Sequence, residues 1–204
     1  NENVLVDTFF TEVFKKSKYI SMLTDGAFDI TVGPLVKAWG FGPDGHKSFD
    51  KSRLDSLLNL IGFEKVTLKD RHLVKADPRI CIDVNAIAQG YSADVLYRFF
   101  AGLGIKNFLI EIGGEVRVRG DKNGEFWKIG IDKPVDNNME PGNNLQAIIK
   151  IKDKALATSG NYRKFYIEDG IKYSHTIDPK TGYPTRNRLL SATIIADDCA
   201  SADG

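Results

Sequence analysis

The sequence predicts an α+β fold, with mixed and antiparallel sheets and a few packing helices. Three observations carry this. Two stretches have apolar residues recurring at helical spacing. At least eight short apolar runs are separated by Gly, Asn and Asp turn signals. In the second half those runs follow one another closely enough to meander. The chain has 204 residues, 42% hydrophobic and 27% charged, enough for one globular domain or two small lobes with a sizeable core. Lys and Arg number 28 against 27 Asp and Glu, a net charge of +1. Such a balance sets up no field that would draw the chain to nucleic acid or to an acidic membrane surface. No apolar run approaches the ~20 residues of a membrane span, and the opening Asn1-Glu2-Asn3 has no leader character.

Taken in order, Val4 to Thr24 reads as a helix, with Val6, Phe9, Phe10, Val13 and Phe14 at spacings of three and four and Gly26 ending it. Residues 25 to 45 hold Gly26, Gly33, Pro34, Gly40, Gly42, Pro43 and Gly45, a loop region with a short apolar helix over Val32 to Trp39. Ser52 to Leu60 reads as a short helix closed by Gly62. Lys65 to Lys69 and His72 to Lys75 read as a hairpin around Asp70-Arg71, and Arg79 to Val84 as a strand. Gln89 to Leu103 is a helix with Tyr91, Val95, Leu96, Phe99 and Phe100 inward. Strands follow at Phe108 to Ile112, Glu115 to Arg119, Trp127 to Ile131, Leu145 to Ile151, Ala155 to Ser159, Arg163 to Ile167 and Leu189 to Ala196, with an exposed loop over Pro134 to Asn144. Cys81 and Cys199 have no metal-ligand spacing and read as small buried thiols. His46 and His72 read as ordinary surface residues, and Trp39 and Trp127 as core.

The segment Tyr173 to Pro184 is the richest in chemistry. An extended run delivers His175, and Asp178-Pro179 with Thr181-Gly182 then forms a rigid corner, because Pro fixes φ, Gly permits φ > 0 and Asp bonds the backbone ahead. Two readings stand at this level: an imidazole and a carboxylate held at the rim of a sheet, or a plain hairpin exit. Asp83 to Tyr91 runs from a strand through small residues into a helix, whose N-terminus offers free N–H groups to an anion; its spacing is neither a dinucleotide fingerprint nor a Walker loop. Ile112-Gly113-Gly114-Glu115 allows close backbone approach or a bulge. Thr158-Ser159-Gly160 could hold a phosphate or form a turn, and Asp29 caps the short helix after it. Asp203 on the bare sequence reads as an exposed terminal carboxylate.

Together and in order, these pieces resemble the ApbE family of FAD:protein FMN transferases. The matching segments are Gly26-Ala27-Phe28-Asp29, Val32-Gly33-Pro34-Leu35, Trp39-Gly40-Phe41-Gly42, Asp83 to Tyr91, Ile112 to Glu115, Thr158 to Tyr162, Ser174 to Pro179 with Thr181-Gly182, and Ala202-Asp203. The likeness runs from about residue 19 onward. It implies an ApbE-like (T-fold-like) architecture forming a single domain over residues 1–204, truncated at both ends. It also implies transfer of the FMN half of FAD onto a Thr or Ser hydroxyl of a target protein, with release of AMP. Two alternatives are hydrolysis of FAD to FMN and AMP, and a non-catalytic flavin-binding module. The resemblance implies Mg²⁺ at Ala88 (through its carbonyl) and Asp203, with a further threonine ligand beyond Gly204. In such a site, flavin or phosphate contacts are expected at Gly113, Gly114, Glu115, Thr158, Ser159, Gly160 and His175, with Asp29 holding the turn that shapes the pocket, and His175 or Asp178 is expected to orient or deprotonate the acceptor hydroxyl. Gln89 stands where the family commonly has lysine. The family further implies a periplasmic or cell-surface lipoprotein, membrane-attached through an N-terminal anchor that this chain lacks.

Overall fold

The computed structural model describes residues 4–42, 45, 49–135, 142–162 and 164–204. His46, Arg163 and the middle of the Pro134 to Asn144 loop lie outside the described residues. In chain order the elements are β1 (Val4–Leu5), α1 (Thr8–Leu23), α2 (Gly33–Ala38), α3 (Leu54–Leu58), β2 (Val66–Lys69), β3 (His72–Lys75), α4 (Ala88–Gly102), β4 (Phe108–Ile112), β5 (Glu115–Arg119), β6 (Trp127–Asp132), β7 (Leu145–Ile151), β8 (Ala155–Gly160), β9 (Phe165–Glu168), β10 (Ile171–Ser174), β11 (Ser191–Ala196) and α5 (Cys199–Asp203). The fold is α+β. The chain packs as two compact units, Asn1–Val84 with Tyr166–Asn187, and Asn85–Phe165 with Arg188–Gly204.

In the first unit β1, β3 and β2 form an antiparallel sheet in that order. Val4 and Leu5 pair with Leu73 and His72 instead of starting the first helix. The helix begins after Asp7, whose side chain accepts the Phe10 N–H, a cap the periodicity alone does not reveal. Arg79 to Val84 is not a strand. Ile80 is buried beside Phe14, Ile30, Phe63 and Val66, and Ile82 and Val84 pack against them. The alternation is therefore that of a chain laid over a core without a ladder partner. Cys81 on its other side is exposed, contrary to the expected buried thiol. A second core gathers Leu35, Trp39, Ile61, Tyr173 and Ile177.

The second unit is layered. A sheet in the order β11-β8-β5-β4 is antiparallel throughout. Side chains alternate across a strand, so Ala155 and Ala157 of β8 face the core of α4 and α5 with Ala93, Ile110, Cys199 and Ala202. Leu156 between them joins Val116, Val118 and the β6–β7 hairpin residues Ile129, Ile131 and Ile151. Trp39 is fully buried, whereas Trp127 packs only at the margin of this second core. The strand expected from Leu189 begins at Ser191, and the terminal helix α5 was not foreseen.

Candidate functional site

Asp29, His175 and Asp178 fall in the first unit. Ala88, Gly113, Gly114, Glu115, Thr158, Ser159, Gly160 and Asp203 fall in the second.

In the first unit the predicted corner exists and is heavily cross-bonded. The Asp178 carboxylate accepts the Lys180 N–H at 2.8 Å and the Thr181 hydroxyl at 3.0 Å. The Asp178 N–H donates to Tyr183 O at 2.9 Å and the Gly182 N–H returns to Asp178 O at 2.8 Å. Gly182 has φ +73°, and its carbonyl accepts the buried Trp39 indole N–H at 2.7 Å. An added Cβ there would meet the flexible tip of Leu54 at 2.7 Å, so the positive φ is the stronger reason for glycine. His175 leads into this corner, half-buried, its ring edge-on to Phe41 at 6.4 Å between centroids. Asp29 accepts both the N–H and the hydroxyl of Thr31, at 2.8 and 2.7 Å, and caps the helical turn Ile30–Val32 as expected.

In the second unit the residues gather around the start of α4. Ile87 supplies no side-chain cap. The Gly90 N–H is instead satisfied by Asp203 Oδ2 at 2.9 Å, from the far end of the chain. Asp203 is thus not an exposed terminal carboxylate: burial pushes its pKa up, and among the described residues Oδ1 takes no hydrogen bond. Gly90 permits the contact, since a Cβ would press on Asp203 Cβ at 2.8 Å and on the Cys199 carbonyl. Glu115 is 8% exposed, and its Oε2 is buried without a hydrogen-bond partner. Burial, then the nearby Asp203 charge, pushes its carboxyl up to about 7. Gly113 and Gly114, at φ +67° and +112°, form the two-residue turn joining β4 and β5, and the Gln89 amide lies over Gly113 where a side chain would collide with it. The Ala88 carbonyl, in the first turn of α4, accepts the Ser92 hydroxyl at 2.7 Å. Thr158 bonds Thr193 across the sheet at 2.9 Å, Ser159 is exposed, and Gly160 leaves room for the Tyr162 ring.

A buried Glu115 with an orphaned oxygen, its proton affinity raised further by the half-buried Asp203 beside it, needs either a proton or a cation. The available donors are all oxygen, which suits a hard ion such as Mg²⁺ better than a softer metal. Among the described residues no group of three or more His, Cys, Asp and Glu side chains forms a ready-made metal cage. The donor set therefore leaves positions for water or phosphate oxygens, a Mg²⁺ habit.

The ApbE family matches the chain over residues 1–204. The chain belongs to the ApbE family. It is 40% identical over 210 residues to the FAD:protein FMN transferase of Vibrio cholerae, covering all of this chain and 61% of that protein. The Escherichia coli K12 FAD:protein FMN transferase is 36% identical over 206 residues, covering 97% and 57% respectively. In structure, the flavin transferase ApbE from Vibrio cholerae superposes with a TM-score of 0.85 at 38% identity, over 99% of this chain and 64% of the other. The Pseudomonas stutzeri flavinyl transferase ApbE gives 0.87 at 32%, over 100% and 62%. The chain thus spans about three fifths of the length of these curated relatives.

Sequence reasoning missed Asp94. It is 7% exposed on α4, one turn beyond Gly90, with both oxygens bonded to the start of α5. A lone Asp among apolar residues in the middle of a predicted helix was the available signal.

Proposed function

We propose that the protein transfers FMN from FAD to a Thr or Ser hydroxyl of a target protein, with Mg²⁺, and releases AMP. The observation that carries the reading is the pair of carboxylates drawn out of water, Glu115 buried and Asp203 half-buried, at the start of α4 in a chain of this family. Asp203 and the Ala88 carbonyl would hold Mg²⁺, with Glu115 beside them. When bound, the ion would offset the charge that grows on the leaving AMP oxygen. The acceptor hydroxyl oxygen forms a bond to the FMN phosphorus, the pyrophosphate P–O bond to AMP breaks, and the hydroxyl proton must leave. His175 is the residue assigned to take it, a step worth roughly 10²–10⁴-fold. Asp178, with both carboxylate oxygens bonded inside its own turn, holds the corner that presents His175. The first turn of α4 and the Gly113-Gly114 turn offer backbone to the pyrophosphate and flavin. Thr158, Ser159 and Gly160 would line the flavin side and Asp29 would hold its own turn. The full-length protein is assigned to the periplasm or cell surface as an anchored lipoprotein, detectable as an acyl mass on its N-terminus.

The test is mass spectrometry of the full-length protein with FAD, Mg²⁺ and a Thr-containing target. A target heavier by FMN, with matching AMP, is expected. Free FMN alone would assign hydrolysis instead. His175→Ala should slow transfer at least about 10²-fold at subsaturating target, and unchanged transfer would remove its role.

A further inference from the structure

The two helices of the second unit cap each other. The Gly90 N–H of α4 donates to Asp203 of α5 at 2.9 Å. In return, the Cys199 and Ala200 N–H groups that open α5 donate to Asp94 Oδ1 and Oδ2, each at 2.9 Å. Arg117 of β5 stands 3.7 Å from Asp94 Oδ1, lies over the Tyr97 ring at 4.3 Å, and donates Nη1 to the Asp197 carbonyl just before α5. Asp198, the local cap, accepts the Ser201 N–H at 2.9 Å. Since α5 has only five residues, a rotation at its first turn carries directly to Asp203 at its last.

We propose that Asp94, with Arg117, is the positioning device for Asp203: it fixes the first turn of α5 and thereby sets the Asp203 carboxylate against α4. An apolar residue at position 94 could fill the same volume, and burying a carboxylate has a desolvation cost that an ion pair often fails to offset. A carboxylate with each oxygen on a different backbone N–H does what an apolar residue cannot: it fixes the helix in rotation as well as in distance. Partners that orient a metal ligand in this way typically carry 10–100-fold in affinity. The inference rests on the reading of Asp203 as a cation ligand, and the experiment separates the two.

The probe is Mn²⁺ alone, titrated into the full chain without FAD, with free Mn²⁺ read by its electron paramagnetic resonance signal. Asp94→Asn retains the volume but turns one acceptor into a donor facing a backbone N–H. It should weaken Mn²⁺ binding roughly 10–100-fold while circular dichroism still reports the folded protein. Ile110→Val, which trims the same core cluster without touching either cap, should lower the melting temperature and leave the affinity unchanged. If Asp94→Asn does not fold, Arg117→Lys is read in its place; it keeps the charge and loses the fork that reaches Asp197, and its affinity should fall. Wild-type affinity in the folded variant, beside lost binding in Asp203→Asn, overturns the positioning role alone. If the wild type takes up no Mn²⁺, the cation reading of Asp203 fails first and the positioning role with it.

Discussion

The two units handle their carboxylates in opposite ways. In the first, Asp29 and Asp178 accept hydrogen bonds from groups two or three residues ahead, and each fixes a turn. In the second, Asp94, Glu115 and Asp203 are drawn out of water by α4, α5 and the sheet, and burial raises the proton affinity of all three. A turn carboxylate is met by donors that its own turn supplies, even where, as at Asp29, it is buried. A carboxylate held by long-range packing is charged only if something answers it. Asp94 has two backbone N–H groups and Arg117. Glu115 has an orphaned oxygen and an anionic neighbour, and Asp203 has the one Gly90 N–H, so the least answered charge lies at this pair. The presence of an acidic side chain is thus a poor guide to function, and the origin of its hydrogen bonds a better one.

The sharpest test of this contrast is Gly90→Ala. Alanine is the better helix former by about 1 kcal/mol, but its Cβ would meet the Cys199 carbonyl and Asp203 Cβ. Overpacking of this kind costs about 1–3 kcal/mol, so a net loss of up to about 2 kcal/mol in urea unfolding is expected. Gly102→Ala in the same helix, with nothing within 4 Å, should be neutral or stabilising. Equal effects would mean that the close approach of α5 does not govern the start of α4. The next effect concerns pH. Glu115 rises from 4.5 to about 7, so between those values the native state holds a proton that the unfolded chain has released. Stability from this group is therefore full below pH 4.5, falls as pH rises, and is gone above about 7. That rise bounds the loss at about 3 kcal/mol. Asp94 and Asp203, also raised, add in the same direction. Urea unfolding at pH 5 and 7.5 should show the decline, and Glu115→Gln should flatten it. A decline of unchanged size in that variant would place the cause elsewhere.

Where local pattern decided the outcome, the sequence was legible. β4, β5 and β7 begin and end where their alternation does, and α4 differs by a residue at each end. Gly113-Gly114, read as a close approach or a bulge between two strands, forms the turn between them. Elements fixed by distant partners were not legible. The five residues of α5 carry too little periodicity to stand out, and two of their opening amides are satisfied by Asp94, more than 100 residues earlier. The Trp39 bond to Gly182 spans 143 residues. Arg79 to Val84 has strand-like alternation, yet lies on a core, tied to it by a long-range bond from the Asp83 N–H to Ile30 O. At the candidate site, resemblance singled out Asp203 where the local sequence gave an exposed terminus, because its environment is assembled from α4, β5 and α5 together.

The smallest effect in stability bears most directly on the first unit. Asp178→Ala removes the bonds from Lys180 N–H and Thr181 hydroxyl but leaves Gly182 N–H on the residue 178 carbonyl and Trp39 on Gly182 O. A partly exposed turn losing two such bonds should give up about 1 kcal/mol. If Asp178 only holds the corner, FMN transfer should fall by no more than a few-fold, because the backbone and indole bonds still place His175. If its carboxylate instead receives the hydroxyl proton, transfer should fall by about 10² or more with the same small change in stability. The two measurements on one variant then decide whether the first unit contains any carboxylate of the second kind. A small loss in both leaves the contrast between the units intact, and His175 the proton acceptor assigned to the first.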